Sequence, residues 1–178
     1  MISKKKRLMF GAIKELDKFK TIVVTGCHRS GTRFVSKVIA HELNRRFIGE
    51  EEVGYKRSTM AIKEVRKGFT VLHGPGLFHF LQDFNQDDTV FVFVNRPSDE
   101  IIKSNKTTGV AECKYTPEDR KKEWLALSLK NKTEFNYHDF EDHPLWVPQQ
   151  ERDFKRMANP GRSNWRGLLH ETEWGKNA

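Results

Sequence analysis

The clearest hydrophobic pattern is an alternation of short apolar runs with stretches that repeat at helical spacing. Ile22 to Thr25 is a β-branched run, followed by a turn and then Thr32 to Leu43, where Val35, Val38, Ile39 and Leu43 recur on one helical face. Phe47-Ile48 predicts a short second strand that ends at the acidic "GEEE". Ser58 to Arg66 predicts a helix with Ser58 as its cap, "FTVLHGPG" a strand stopped by Gly-Pro-Gly, and "LFHFLQDF" a short helix. "TVFVFV" is the strongest strand signal, apolar at successive positions as in a parallel sheet covered on both faces. "NRPSDEIIKSN" then turns into a helix with Ser98 as N-cap and acids in its first turn.

Strand–helix alternation of this kind predicts a three-layer α/β/α domain on a parallel sheet of about four or five strands. Nothing along the 178 residues marks a repeat or a change of composition, so one domain is expected, with a core over 21–105. Residues 107–157 are polar, with a helix expected from Thr116 to about Thr133, and are read as a lid or acceptor-side segment.

Composition narrows the classes. The hydrophobic fraction is 37% and no apolar run approaches the length of a membrane span. The basic start "MISKKKRLMF" leads into charged sequence without a signal-peptide apolar core. Cys27 and Cys113 allow at most one bridge and lack zinc-site spacing, so a reduced, cytoplasmic setting is expected. The net charge of +8 favours anionic partners such as nucleotides, nucleic acid or acidic surfaces.

The turn after the first strand carries the candidate chemistry. In "TGCHRSGTRF" Gly26 and Gly31 have the four-residue gap of a Walker loop, whose backbone N–H groups open onto a helix N-terminus and hold phosphate. The two residues that should follow, Lys and Ser/Thr, are here Thr32 and Arg33. The strand-end acid that would hold magnesium is also missing, because the strands end in His73 and Asn95-Arg96, while Asp87 and Asp88 precede theirs. Arg29, Arg33 and Arg96 supply positive charge in place of a metal.

With these residues the chain resembles the PAPS-dependent sulfotransferases, which use 3′-phosphoadenosine 5′-phosphosulfate as donor. "HRSGTRF" is similar to that family's Pro-Lys-Ser-Gly-Thr-Thr-Trp motif. The resemblance implies Arg29 as the cation beside the bridging oxygen, Ser30, Gly31, Thr32 and Arg33 around the 5′-phosphate, and Phe34 at the adenine-stacking position. The family's second motif, a strand followed by Arg-x-Pro and a Ser eight residues after the Arg, matches Arg96, Pro97 and Ser104, which implies a grip on the 3′-phosphate. "VLHGP" keeps the His-x-Pro spacing of a third motif and implies His73 as general base, with Glu50 or Glu51 of "FIGEEE" as the rival. The C-terminal motif is half present: "NWR" resembles its Asp-Trp-Lys, and Arg162 stands in for the upstream cations.

The function so implied is in-line transfer of a sulfuryl group from PAPS to an acceptor hydroxyl or amine, on a carbohydrate or small molecule, with no metal required. The alternatives are a small-molecule or nucleotide kinase with a degenerate loop, and a nucleotide-binding member of the fold without turnover. A nucleic-acid binder built on "KKKR" would place aromatics beside that run, and they lie elsewhere. "HDFEDH", 138–143, offers metal-ligand residue types but reads as a solvated acidic loop.

Overall fold

The structure is a computed structural model that describes residues 4–49, 52, 62, 63, 65, 67–108, 115–141 and 143–146. Its centre is a five-stranded sheet formed by β1 (Thr21–Gly26), β2 (Arg46–Ile48), β3 (Thr70–His73), β4 (Thr89–Asn95) and β5 (Lys132–Asn136). The spatial order is β2-β3-β1-β4-β5, and every neighbouring pair is parallel. Helices α1 (Lys4–Lys14), α2 (Thr32–Glu42), α3 (Ser98–Thr108) and α4 (Pro117–Ala126) complete an α/β fold with helices on both sides of the sheet.

The inner strands are apolar at successive positions because both faces are covered. All six residues of β1 are buried, and so are the first six of β4. On one face Val23, Leu72, Phe91 and Phe93 meet Leu77, Phe78, Leu81 and Phe84 from a 3₁₀ segment over Pro75–Phe84, together with Trp124 of α4. α2 packs against β1 and β3, with α1 against α2. Val35, Val38 and Ile39 of α2 are fully buried as the periodicity predicts, whereas Leu43 closes the helix half-exposed.

Three sequence expectations change. The stretch "LFHFLQDF" is helical but 3₁₀, beginning at Pro75, a residue suited to the first turn. Ser98 opens α3 as its first residue, and its hydroxyl donates to Glu118 of α4. The helix expected to run to Thr133 stops at Ala126, and residues 132–136 form the edge strand β5. This part of 107–157 therefore belongs to the sheet, with Phe91 opposite Lys132 and Phe93 opposite Glu134. β5 alternates exposed and half-buried residues, as an edge strand in contact with water does. It is held by Trp124, whose ring stacks on Phe93 at 5.1 Å and whose Nε1 donates to Glu134 at 2.8 Å.

The chain divides into two compact units, residues 1–143 and 144–178. The first contains the whole sheet; the second lies almost entirely outside the described residues. Of the Ser58–Arg66 expectation, residues 62, 63 and 65 are helical and the others fall outside the described residues. Among the described residues no helix is long and apolar enough to cross a membrane.

Candidate functional site

The sheet order creates a natural place for a ligand. From β1 the chain moves to one side, to β2 and β3, and from β4 it moves to the other, to β5. The carboxyl ends of β1 and β4 therefore flank a switch point, where loops leaving adjacent strands diverge and leave a crevice. The turn 27–31 leaves β1 at this edge, and Arg96 follows β4 directly.

The turn itself is tight and self-bonded. The Ser30 N–H and hydroxyl both donate to the Cys27 carbonyl, at 3.1 and 2.8 Å, and Ser30 is fully buried. Gly31, at φ 89, is the N-cap of α2, with no side chain to satisfy the first N–H groups of the helix. An added Cβ at Gly31 would stand 2.2 Å from Cδ2 of Tyr137, so both the left-handed backbone and the close ring require glycine here.

Arg29 also has positive φ, 70°, a conformation that costs a non-glycine residue about 1 kcal/mol. It is held there from two sides. Its Nε donates to Ser104 Oγ of α3 at 3.2 Å, and its carbonyl accepts from Arg96 Nη1 at 3.0 Å. Arg96 in turn donates from Nε to Glu100 at 2.8 Å, and its guanidinium lies 4.5 Å from the Tyr137 ring centre. His138 Nε2 meets the other Glu100 oxygen at 2.8 Å. Burial alone would raise the Glu100 carboxyl, but hydrogen bonds from Arg96 and His138 outweigh it and hold its pKa below the ordinary value. Glu100 is thus an anion at neutral pH and offsets part of the positive charge at this edge. His28 is held below the usual histidine range by burial first, then by Arg120 and Arg29, and stays neutral.

His73 ends β3, beside Val24 of β1, and is buried. Its Nε2 lies 3.1 Å from Thr32 Oγ1, at the start of α2. The turn after β3 is tied to β1 through Gly74 N–H to Val24 carbonyl at 2.9 Å and Thr25 Oγ1 to Gly74 carbonyl at 3.3 Å. A cavity of about 270 Å³ opens next to the turn, lined by Cys27, Asn95, Arg96, Ser98, Ile101 and Lys121 among others.

The structure therefore brings Arg29, Ser30, Gly31, Thr32, Arg96, Ser104 and His73 to one edge of the sheet. Arg33 is half-buried on the first turn of α2. Phe34 meets Tyr137 and Phe140 edge-on, with ring centres at 6.4 and 6.5 Å, so its ring belongs to an aromatic cluster below the turn. Glu50, Glu51 and Arg162 lie outside the described residues. Sequence reasoning passed over Tyr137 and Glu100, and placed His138 only in an acidic loop read as solvated. Glu100 sits four residues after Arg96, the helical spacing of an ion pair, and could have been found; Tyr137 and His138 come from a segment read as irregular.

Comparison of the chain with protein-family models, curated proteins and solved structures returns no match.

Proposed function

We propose that the protein is a sulfotransferase that moves the sulfuryl group of PAPS to an acceptor hydroxyl or amine. The observation that carries this reading is the meeting of Arg29, Arg96 and Ser104, which come from two separate sequence motifs. Two guanidinium groups and a serine hydroxyl at a glycine-capped helix N-terminus suit a ligand with phosphate groups at two positions. The neighbouring cavity has room for part of a nucleotide beside Arg96.

In this reading the acceptor oxygen or nitrogen attacks sulfur in line with the bridging oxygen of the phosphosulfate. The new bond to sulfur forms as the bond from sulfur to the bridging oxygen breaks, and adenosine 3′,5′-bisphosphate leaves with the electron pair. Arg29 and the N–H groups of the turn offset the charge growing on that phosphate. His73 takes the acceptor proton, a role commonly worth about 10² to 10⁴ in rate. What supports His73 is its position one side chain from the turn, through Thr32.

Calorimetry tests the donor assignment without an acceptor. Adenosine 3′,5′-bisphosphate should bind more tightly than ADP or ATP, and equally well with excess EDTA or magnesium. Arg96→Ala should weaken the bisphosphate by ~1.5–3 kcal/mol more than it weakens 5′-AMP, the scale of hydrogen bonds to charged groups, on top of any shared loss from releasing the Arg29 carbonyl. Equal losses for both ligands remove Arg96 from the 3′-phosphate, and a strong magnesium requirement favours the kinase reading. Bisphosphate binding with no sulfuryl transfer to any acceptor class points to the non-catalytic alternative.

A further inference from the structure

The C-terminal end of α2 carries a second cluster that the transfer chemistry does not use. His41 and Glu42 end the helix, and His143 reaches them after a 3₁₀ turn over Tyr137–Phe140. Glu42 Oε1 lies 2.9 Å from His41 Nδ1 and 3.0 Å from His143 Nε2. One potential ligand atom from each residue falls within 4.8 Å of the others.

The three groups are unequal in a way that suits a built site. The His143 side chain is fully buried (0% exposed), and its backbone N–H donates to the Phe140 carbonyl at 3.0 Å. The Phe10 ring centre lies 6.1 Å from the His143 ring and that of His41 6.0 Å, so the imidazole is positioned by packing. His41 and Glu42 keep 46% and 24% side-chain exposure, which leaves an entry path and room for water as a further ligand.

We infer that His41, Glu42 and His143 form a binding site for a divalent transition metal of the zinc class, at the end of α2 opposite the glycine turn. Two imidazole nitrogens and one carboxylate oxygen are a donor set that zinc accepts, with a remaining position for water. Donors bound at about 2.0–2.1 Å in tetrahedral array lie roughly 3.3 Å apart, so the two nitrogen-to-carboxylate spacings of 2.9 and 3.0 Å need to open by only a few tenths of an ångström. Metal entry replaces the proton between each imidazole nitrogen and Glu42 with a shared cation. The carbonyl end of a helix adds a favourable field for positive charge. Bound metal would clip residue 143 to α2, across 101 residues of chain from Glu42. The inference is independent of the sulfotransferase reading, because it uses none of the same residues.

The test is zinc chloride titrated into the full chain after EDTA treatment and dialysis, read by calorimetry and by thermal melting. One equivalent should bind, and Tm should rise with zinc and fall back with chelator. His41→Ala, at a half-exposed position that should fold, ought to weaken zinc by more than about tenfold, since even outer partners of a metal act on that scale. Glu42→Gln should do the same, while His79→Ala leaves binding unchanged. Cobalt substituted for zinc should show visible ligand-field bands without thiolate charge transfer, separating this site from Cys27 and Cys113. Absence of stoichiometric binding, binding that survives His41→Ala and Glu42→Gln, or a thiolate band overturns the proposal. A His41→Ala protein that loses stability while the wild type shows no zinc-dependent Tm shift does so as well, because the cluster is then a hydrogen-bonded clamp alone.

Discussion

The two ends of α2 make opposite uses of one helix. At its N-terminus the chain places Gly31 as cap, Arg29 just before it and Arg96 against the Arg29 carbonyl. At its C-terminus, 11 residues and about 16 Å along, a carboxylate sits between two histidines. The helix dipole favours anions at the first end and cations at the second, and the side chains at each end reinforce that preference. The N-terminal end is made from strand ends of a parallel sheet, where loops diverge at a switch point and leave a crevice. The C-terminal end is made from helix ends, and its third member comes from after the last strand. Sheet topology thus organises the first end, whereas the second depends on a single buried histidine.

The largest effect should come from breaking the N-terminal end at its backbone. Gly31→Ala forces a left-handed residue and drives a Cβ to 2.2 Å from the Tyr137 ring, which should cost about 2–4 kcal/mol of stability in urea melts. Adding Tyr137→Leu should recover part of the loss. Unchanged stability in Gly31→Ala would mean that Tyr137 does not pack on the turn.

Next comes the separation of base from loop cation. His73→Ala should spare bisphosphate binding while turnover falls on the order of 10² or more. Arg29→Ala should reduce both, because the charge it offsets is present in the ground state and grows in the transition state. If His73→Ala keeps its activity while Glu50→Gln or Glu51→Gln loses it, the acid is the base.

A smaller change is expected at the opposite end. Glu42→Gln should cost about 1.5–3 kcal/mol of stability at most, the scale of hydrogen bonds to a charged group, without changing bisphosphate affinity. Burial alone would raise the Glu42 carboxyl, but hydrogen bonds from His143 and His41 hold its pKa below the ordinary value of 4.5. The stability it contributes is present above that value and is lost as pH falls through the lowered one. An affinity loss matching the stability loss would show that the two ends are coupled.

The smallest effect concerns His138. Burial would lower its pKa, but the hydrogen bonds its ring donates to Glu141 and Glu100 outweigh this and raise it above 6.5. Its contribution is therefore complete below pH 6.5 and disappears as pH rises through the raised value. Thermal melts across that window should show a shallow decline that His138→Gln removes. A slope that persists in the variant assigns it to another group.

Much of the N-terminal end was legible in the chain because its parts are local. Gly26 to Arg33 are contiguous, and Arg96 and Ser104 lie on one strand-to-helix passage, so spacing alone groups each set. The alternation of strands and helices was legible for the same reason, since burial on both faces forces apolar runs such as those in β1 and β4. β5 was not. An edge strand buries only alternate side chains, and "KTEFN" follows a polar helix, so it has neither an apolar run nor a turn to mark its start. The Trp124 contacts that hold it, with Phe93 and Glu134, join three elements.

What the sequence determined by itself was the fold class, the inner strands and the two groups of residues that meet at the turn. Each of these depends on periodicity or on neighbours within about a dozen residues. Only the tertiary structure decided that Arg29 is clamped between Ser104 and Arg96, that Phe34 turns to Tyr137 and Phe140, and that His143 joins His41 and Glu42. Such contacts form when packed layers bring distant residues within hydrogen-bond range, and a side chain's partner across a gap of 67 or 101 residues leaves no periodic trace in the chain.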